Sequence, residues 1–305
     1  MAPVGEVTGS VATGDALARA RLRASLVPDL LVESRRVVNT VIAGWHGRRR
    51  RGIGENFWQF RPYVEGEAVS RIDWRRSARD EHTYIRDREW EAAHTVWLWA
   101  DPSPSMLYKS ATASVSKESR SLVLILALAE LLSRGGERIA WPGLIDPFTA
   151  RNGAERIAAR LAHAPTVPVR PDLLQVRRFS DIILASDFLD PVEDILAWLE
   201  PLARRGVRAH LIEVADPAEE NFPYSGRTEF TDPETGEKLT AGRAETLADD
   251  YRRVYTARRA ELSAWCKRRG WSYSVNHTDR LASEALVQVH MAMSEPTDFG
   301  MGGVA

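Results

Sequence analysis

The sequence predicts an α/β protein built on a doubly wound, mostly parallel sheet, and three observations carry that prediction. Residues 96–100 (VWLWA) and 181–185 (DIILA) are largely apolar runs without period-two alternation, as expected of strands covered on both faces. Each run stops on polar residues, Asp101, Ser103 and Ser105 after the first and Ser186-Asp187 after the second. Segments of helical spacing separate these strands, the arrangement of βαβ units. Parallel strands lying side by side bring Asp101 and Asp187 to one carboxyl edge, where open α/β sheets bind ligands.

In chain order, residues 1–13 are small and polar and are expected to be disordered. A helical and β-hairpin extension follows over 14–92. Its first part, 15–43, has a broken apolar stripe of helical period, with Pro28 marking an expected break. Further on, Phe57, Trp58 and Phe60 have the spacing of a core hairpin, and residues 83–91 are expected to add a strand beside 95–100, with Trp74 and Trp90 packed beneath. The main domain is expected over 93–294. It comprises a helix at 122–132, a second strand at 138–145, an amphipathic helix at 151–164 and the strand at 181–185. A helix at 191–205, a strand at 207–214 and a polar hairpin around Pro233-Glu234-Thr235-Gly236 come next. A long helix at 247–269, a strand at 271–275 and a helix at 281–293 complete it, and 295–305 reads as a flexible tail.

Across 305 residues, 41 lysines and arginines face 42 aspartates and glutamates, so a net charge of −1 gives no global attraction to nucleic acid or an anionic membrane. A local patch is present. Between Trp45 and Arg61 five arginines stand against one glutamate, and Arg48 to Arg51 are the best candidates for an anion or nucleic-acid contact. The single cysteine, Cys266, excludes an intramolecular disulfide framework and reads as a core residue of a late helix in a reducing compartment. The start lacks a basic, then apolar, leader pattern, and the most apolar window, 122–132, is too short for a bilayer span. A soluble, cytoplasmic protein is therefore expected.

Catalytic signatures are missing: there is no phosphate-binding Gly-x-x-x-x-Gly-Lys loop, no His-Glu-x-x-His and no nucleophile elbow, and no catalytic residue is assigned. The loop Asp101-x-Ser103-x-Ser105, between a buried strand and a helix, resembles the metal-ion-dependent adhesion site of von Willebrand factor A-type domains. Three oxygen ligands on one short loop suit a hard cation such as Mg²⁺ or Mn²⁺, leaving positions open for a partner's carboxylate. Alternatively, the aspartate and serines cap the loop's own amides. By the same resemblance Asp187 joins the metal site and a threonine completes it; Thr166 is nearest in topological order.

Upstream lies the most distinctive stretch: Arg61-Pro62-Tyr63, Glu65-Gly66-Glu67, Arg71-Ile72-Asp73-Trp74-Arg75, Ser77-Ala78-Arg79, then Tyr84-Ile85-Arg86 and Glu89. This order of short motifs ahead of Asp-x-Ser-x-Ser is similar to the bacterial family called domain of unknown function 58, with Glu67 where the family usually has aspartate. The resemblance implies a von Willebrand factor A-like core and a non-enzymatic adaptor role beside a MoxR-type AAA+ ATPase and its protein clients. From Arg71 to Glu91 six basic and six acidic residues can neutralise one another as a structural clamp. The sharper reading makes Arg71, Asp73, Arg75 and Arg79 a partner-recognition face, which a metal-free scaffold could use.

Overall fold

The computed structural model describes residues 13–45, 59–63, 72, 74–79, 82–87, 94–164 and 166–294. The two ends expected to be disordered, the run from Arg48 to Arg51, and Arg71, Asp73 and Trp90 lie outside these residues. The chain forms two compact units, 45–93 and the remainder.

Helix α1, Thr13–Trp45, runs through Pro28, so the expected break does not occur. A proline inside a helix removes one amide donor and costs about 3 kcal/mol. Against that, Val27, Leu30, Val38 and Val41 recur at helical spacing and are all buried, each contributing about 1.5–3 kcal/mol. The stripe wins, and Pro28 itself stays exposed.

In the smaller unit, β1 (Gln59–Pro62) is followed by a single helical turn, α2 (Trp74–Ser77), and by β2 (Tyr84–Asp87). The two strands pair antiparallel, Gln59 opposite Asp87 and Pro62 opposite Tyr84. The Ser77 hydroxyl accepts the Tyr84 amide at 2.9 Å and fixes the turn to the strand. Within the strand expected over 83–91, Tyr84–Asp87 therefore pairs with β1 and not, as expected, with residues 95–100. Trp74 is 63% exposed, not packed beneath a strand.

The larger unit holds β3 (Thr95–Ala100), α3 (Lys117–Arg134), β4 (Arg138–Trp141), β5 (Ile145–Phe148), α4 (Gly153–His163) and β6 (Asp181–Ser186). It continues with α5 (Val192–Arg204), β7 (Arg208–Ala215), α6 (Pro217–Asn221), β8 (Thr228–Thr231), β9 (Lys238–Ala241), α7 (Ala248–Arg268), β10 (Ser272–His277) and α8 (Ala282–Ser294). Six strands form one sheet in the order β10-β7-β6-β3-β4-β5, parallel except for β4 with β5. The neighbours of β3 in this sheet are β6 and β4. The expected strand over 138–145 is instead a hairpin. Pro142-Gly143 turns the chain, with Gly143 at a φ of +71° that side-chain-bearing residues rarely adopt.

Helix α3 packs on β3, β4, β6 and β7 and against α4 and α8, while α5 packs with α7. Strands buried on both faces need apolar side chains throughout, which is why β3 and β6 do not alternate. The first residue of α4 is Gly153 for a steric reason. A Cβ there would lie 2.0 Å from the Ser133 hydroxyl and 2.5 Å from Ile139, so any side chain would push α4 off α3. Cys266 is buried in α7, as expected. Among the described residues no helix is long and apolar enough to cross a membrane.

Candidate functional site

After β3 the chain proceeds to β4 on one side, and it later enters β6 on the other, so the strand order reverses between β3 and β6. In open α/β sheets such a switch point opens a crevice at the carboxyl edge. Asp101 and Asp187 flank it. Val96 to Ala100 pair with Asp181 to Ala185, and the Asp101 amide continues the ladder to the Ala185 carbonyl at 2.9 Å.

The Asp101 carboxylate accepts the Ser103 amide at 2.8 Å and the Ser186 hydroxyl at 2.6 Å. The Ser103 and Ser105 hydroxyls stand 3.1 Å apart, and the Ser105 hydroxyl is near enough to Asp187 to favour its ionised form. Four of the five expected metal-site residues are therefore drawn into one cluster. Thr166 is not part of it. It is exposed in the segment after α4, and among the described residues no hydrogen bond joins it to this loop. Its neighbour Val167, rather than Thr166, faces the small cavity beside Asp101.

The sequence reading missed the cation in this cluster. Lys117, at the first position of α3, is fully buried and donates to Asp187 at 2.8 Å and to Glu219. Burial opposes its charge, but Asp187 and Glu219 together outweigh burial and raise its pKa. Burial likewise opposes ionisation of Asp187, yet the Lys117 charge, the Ser105 hydroxyl and the Leu189 amide hold its carboxyl below the ordinary value. Among the described residues no cation pairs with Asp101, and burial together with the nearby Asp187 pushes its pKa up to about 7. Lys117 also lies 5.7 Å from the Tyr108 ring centroid, a cation–π distance.

Further contacts fasten the loop that follows. The Ser110 amide donates to Asp216 at 2.9 Å, and Asp216 caps α6, which carries Glu219. The Tyr108 and Tyr224 hydroxyls meet at 2.6 Å. From the β8–β9 hairpin, the carboxylate of Glu234 accepts the Ser105 amide at 3.1 Å. A lysine following an N-capping serine, at the start of a helix whose middle turns are almost wholly apolar, is the one sequence signal that could have revealed Lys117. Glu219 and Glu234 carry no comparable signal.

The donor set suits the divalent cation that the resemblance implies. Two ligands at right angles, each 2.0–2.1 Å from Mg²⁺, stand about 3 Å apart, and the Ser103 and Ser105 hydroxyls match that edge. Among the described residues no group of three His, Cys, Asp or Glu side chains is gathered as metal ligands, so the serine hydroxyls are indispensable to any cation here. Of the proposed recognition face, Arg75 and Arg79 are exposed on α2 and the turn after it.

A family model described as protein of unknown function DUF58 matches residues 59–261. Uncharacterized proteins of Mycobacterium tuberculosis and Mycobacterium bovis are 30% identical over 252 residues, covering 75% of this chain and 76% of theirs. Among solved structures, the conserved hypothetical protein BatB from Bacteroides thetaiotaomicron aligns over 66% of this chain and 97% of its own, at 15% identity and a TM-score of 0.38. An aerotolerance-related membrane protein from Bacteroides fragilis aligns over 66% and 98%, at 14% identity and a TM-score of 0.35. On the span of the family match and the mycobacterial likeness, the chain belongs to the family of unknown function DUF58.

Proposed function

We propose that the larger unit is a von Willebrand factor A-like, non-enzymatic binding module that engages a protein partner at the carboxyl edge of its sheet. The observation that carries the proposal is the convergence of Asp101, Ser103, Ser105, Ser186 and Asp187 across the reversal of strand order between β3 and β6. Ser103, Ser105, Asp101 and Asp187 would hold Mg²⁺ or Mn²⁺, which when bound supplies positive charge and open positions for a partner's carboxylate. The chain's own residues prepare that edge. Ser186 and the Ser103 amide fix Asp101, Lys117 offsets Asp187 and Glu219, and the Ser105 amide offers a donor to an incoming acid. The family resemblance suggests a MoxR-type AAA+ ATPase as partner and the assembly or remodelling of protein complexes as the role.

The exposed Arg75 and Arg79 support a second reading, in which an acidic partner binds a metal-free scaffold through its arginine-rich face. Isothermal titration of the chain with Mg²⁺ and Mn²⁺ separates the two. The metal reading expects binding in the wild type that weakens at least about tenfold in S103A and S105A, since each variant removes one coordinating oxygen. Partner affinity unchanged by a chelator would abandon the metal reading and leave the metal-free one.

A further inference from the structure

Glu234 belongs to a different part of the chain from the loop it touches. It sits at the tip of the β8–β9 hairpin, where Thr228 pairs with Ala241 and Thr231 with Lys238. A lone two-stranded hairpin is marginally stable in water, and this one is anchored at its base. Phe222 lies 5.7 Å from Phe230 and 4.8 Å from Tyr251, and Tyr224 lies 5.3 Å from Phe230, ring centroid to ring centroid. The base therefore holds without the tip.

The tip in turn builds itself. Asp232 accepts the Glu234 amide at 2.8 Å and the Thr235 hydroxyl at 2.8 Å, the Gly236 amide returns to the Asp232 carbonyl at 2.8 Å, and Gly236 takes a φ of +75°. This turn presents the Glu234 side chain ready-made. The presented carboxylate then meets the Ser105 amide on the edge assigned above to a partner.

Electrostatics makes the contact a poor one to hold for its own sake. Partial burial disfavours the charge on Glu234, as do Asp187, Asp190 and Asp232, and the Ser105 amide is the only compensation the loop supplies among the described residues. Lys117 gives no help, being engaged with Asp187 and Glu219. A carboxylate carried across the surface to an acidic edge is a ligand in position, weakly held.

We propose that the hairpin tip is an internal occupant of the partner site, with Glu234 standing where a partner's acidic side chain binds, so that a partner must displace the tip. The proposal rests on the reading of this edge as the partner surface. The occupant is tethered, so it competes at a high effective concentration and lowers the apparent affinity of any free acid.

The test uses the full chain with Mg²⁺ present and a fluorescent peptide reproducing residues 231–237, TDPETGE, as the acidic probe. Glu234 is exposed, so E234A is expected to keep the wild-type unfolding temperature. The peptide should bind E234A about tenfold or more tightly than the wild type, and S105A in the E234A background should weaken that binding. Equal affinity for the wild type and E234A, lost in S103A, would overturn the internal occupant while leaving the edge as a partner surface. No binding to wild type, E234A or a second variant with the tip replaced by Asn-Gly would overturn the edge reading and the occupant with it.

Discussion

Strand β6 carries an aspartate at each end, and the two are neutralised in different ways. At the amino end, Arg208 grips both oxygens of Asp181, at 2.9 and 2.5 Å. His94 lies 3.5 Å and His210 3.8 Å from the same carboxylate. Burial opposes ionisation there, but His210, His94 and Arg208 together outweigh it and hold the carboxyl far below its ordinary range. These partners come from β7 or the residue before β3, and Arg208 also fastens the Met293 carbonyl of α8 at 3.0 Å. The cluster is closed. At the carboxyl end, Asp187 takes Lys117 from α3, Lys117 takes Glu219 from α6, and no cation among the described residues pairs with Asp101. Equal burial with unequal compensation separates an end that clamps the fold from the one proposed to bind a partner.

Removing each cation would break the comparison if the ends were alike. The largest effect is expected for K117M, which keeps an apolar stem but strands Asp187 and Glu219 together in the interior. Breaking a buried pair in this way costs about 3–5 kcal/mol, to be read as a fall in urea-unfolding free energy. A loss below about 1 kcal/mol would mean that the two acids have other compensation. R208L should cost less, about 2 kcal/mol, because the Arg208 side chain is one-fifth exposed and two histidines remain on Asp181. R208L should also leave Mn²⁺ titration unchanged, and a shift there would show that the two ends of β6 are coupled.

The same contrast explains what could be read from the residues alone. Asp101 and Asp187 were legible because unbroken apolar runs fix a central strand, and a parallel pair then places both acids at one edge. Cys266 and the long helix around it were legible by period. Lys117, Glu219 and Glu234 were not, because the pairs Lys117–Asp187, Lys117–Glu219 and Ser105–Glu234 join residues 70 to 129 apart in the chain, and lysine and glutamate are rarely buried unless paired. Pro28 misled because a local penalty was weighed without the buried stripe that overrides it. At Pro142-Gly143 the reverse happened: a local turn signal was present, and the apolar residues around it drew attention away.

The smallest effect sharpens the amino end. Asp181 and then Glu137, 3.5 and 3.7 Å away, raise the His94 pKa from its ordinary 6.5 to about 9, against an opposing contribution from burial. A group whose folded value is raised contributes stability that is full below its unfolded pKa and is lost as pH rises through the folded one. Wild-type stability should therefore decline between pH 6.5 and about 9.5 relative to H94Q, whose side chain does not titrate. The full shift would correspond to about 3 kcal/mol, but the His94 side chain is more than a third exposed, and solvent screening reduces the expected difference to about 1 kcal/mol. Taking the difference between the two proteins also cancels the titration of Asp101 near pH 7. Parallel curves for wild type and H94Q would show that His94 lies outside the clamp, leaving Arg208 and His210 to hold Asp181.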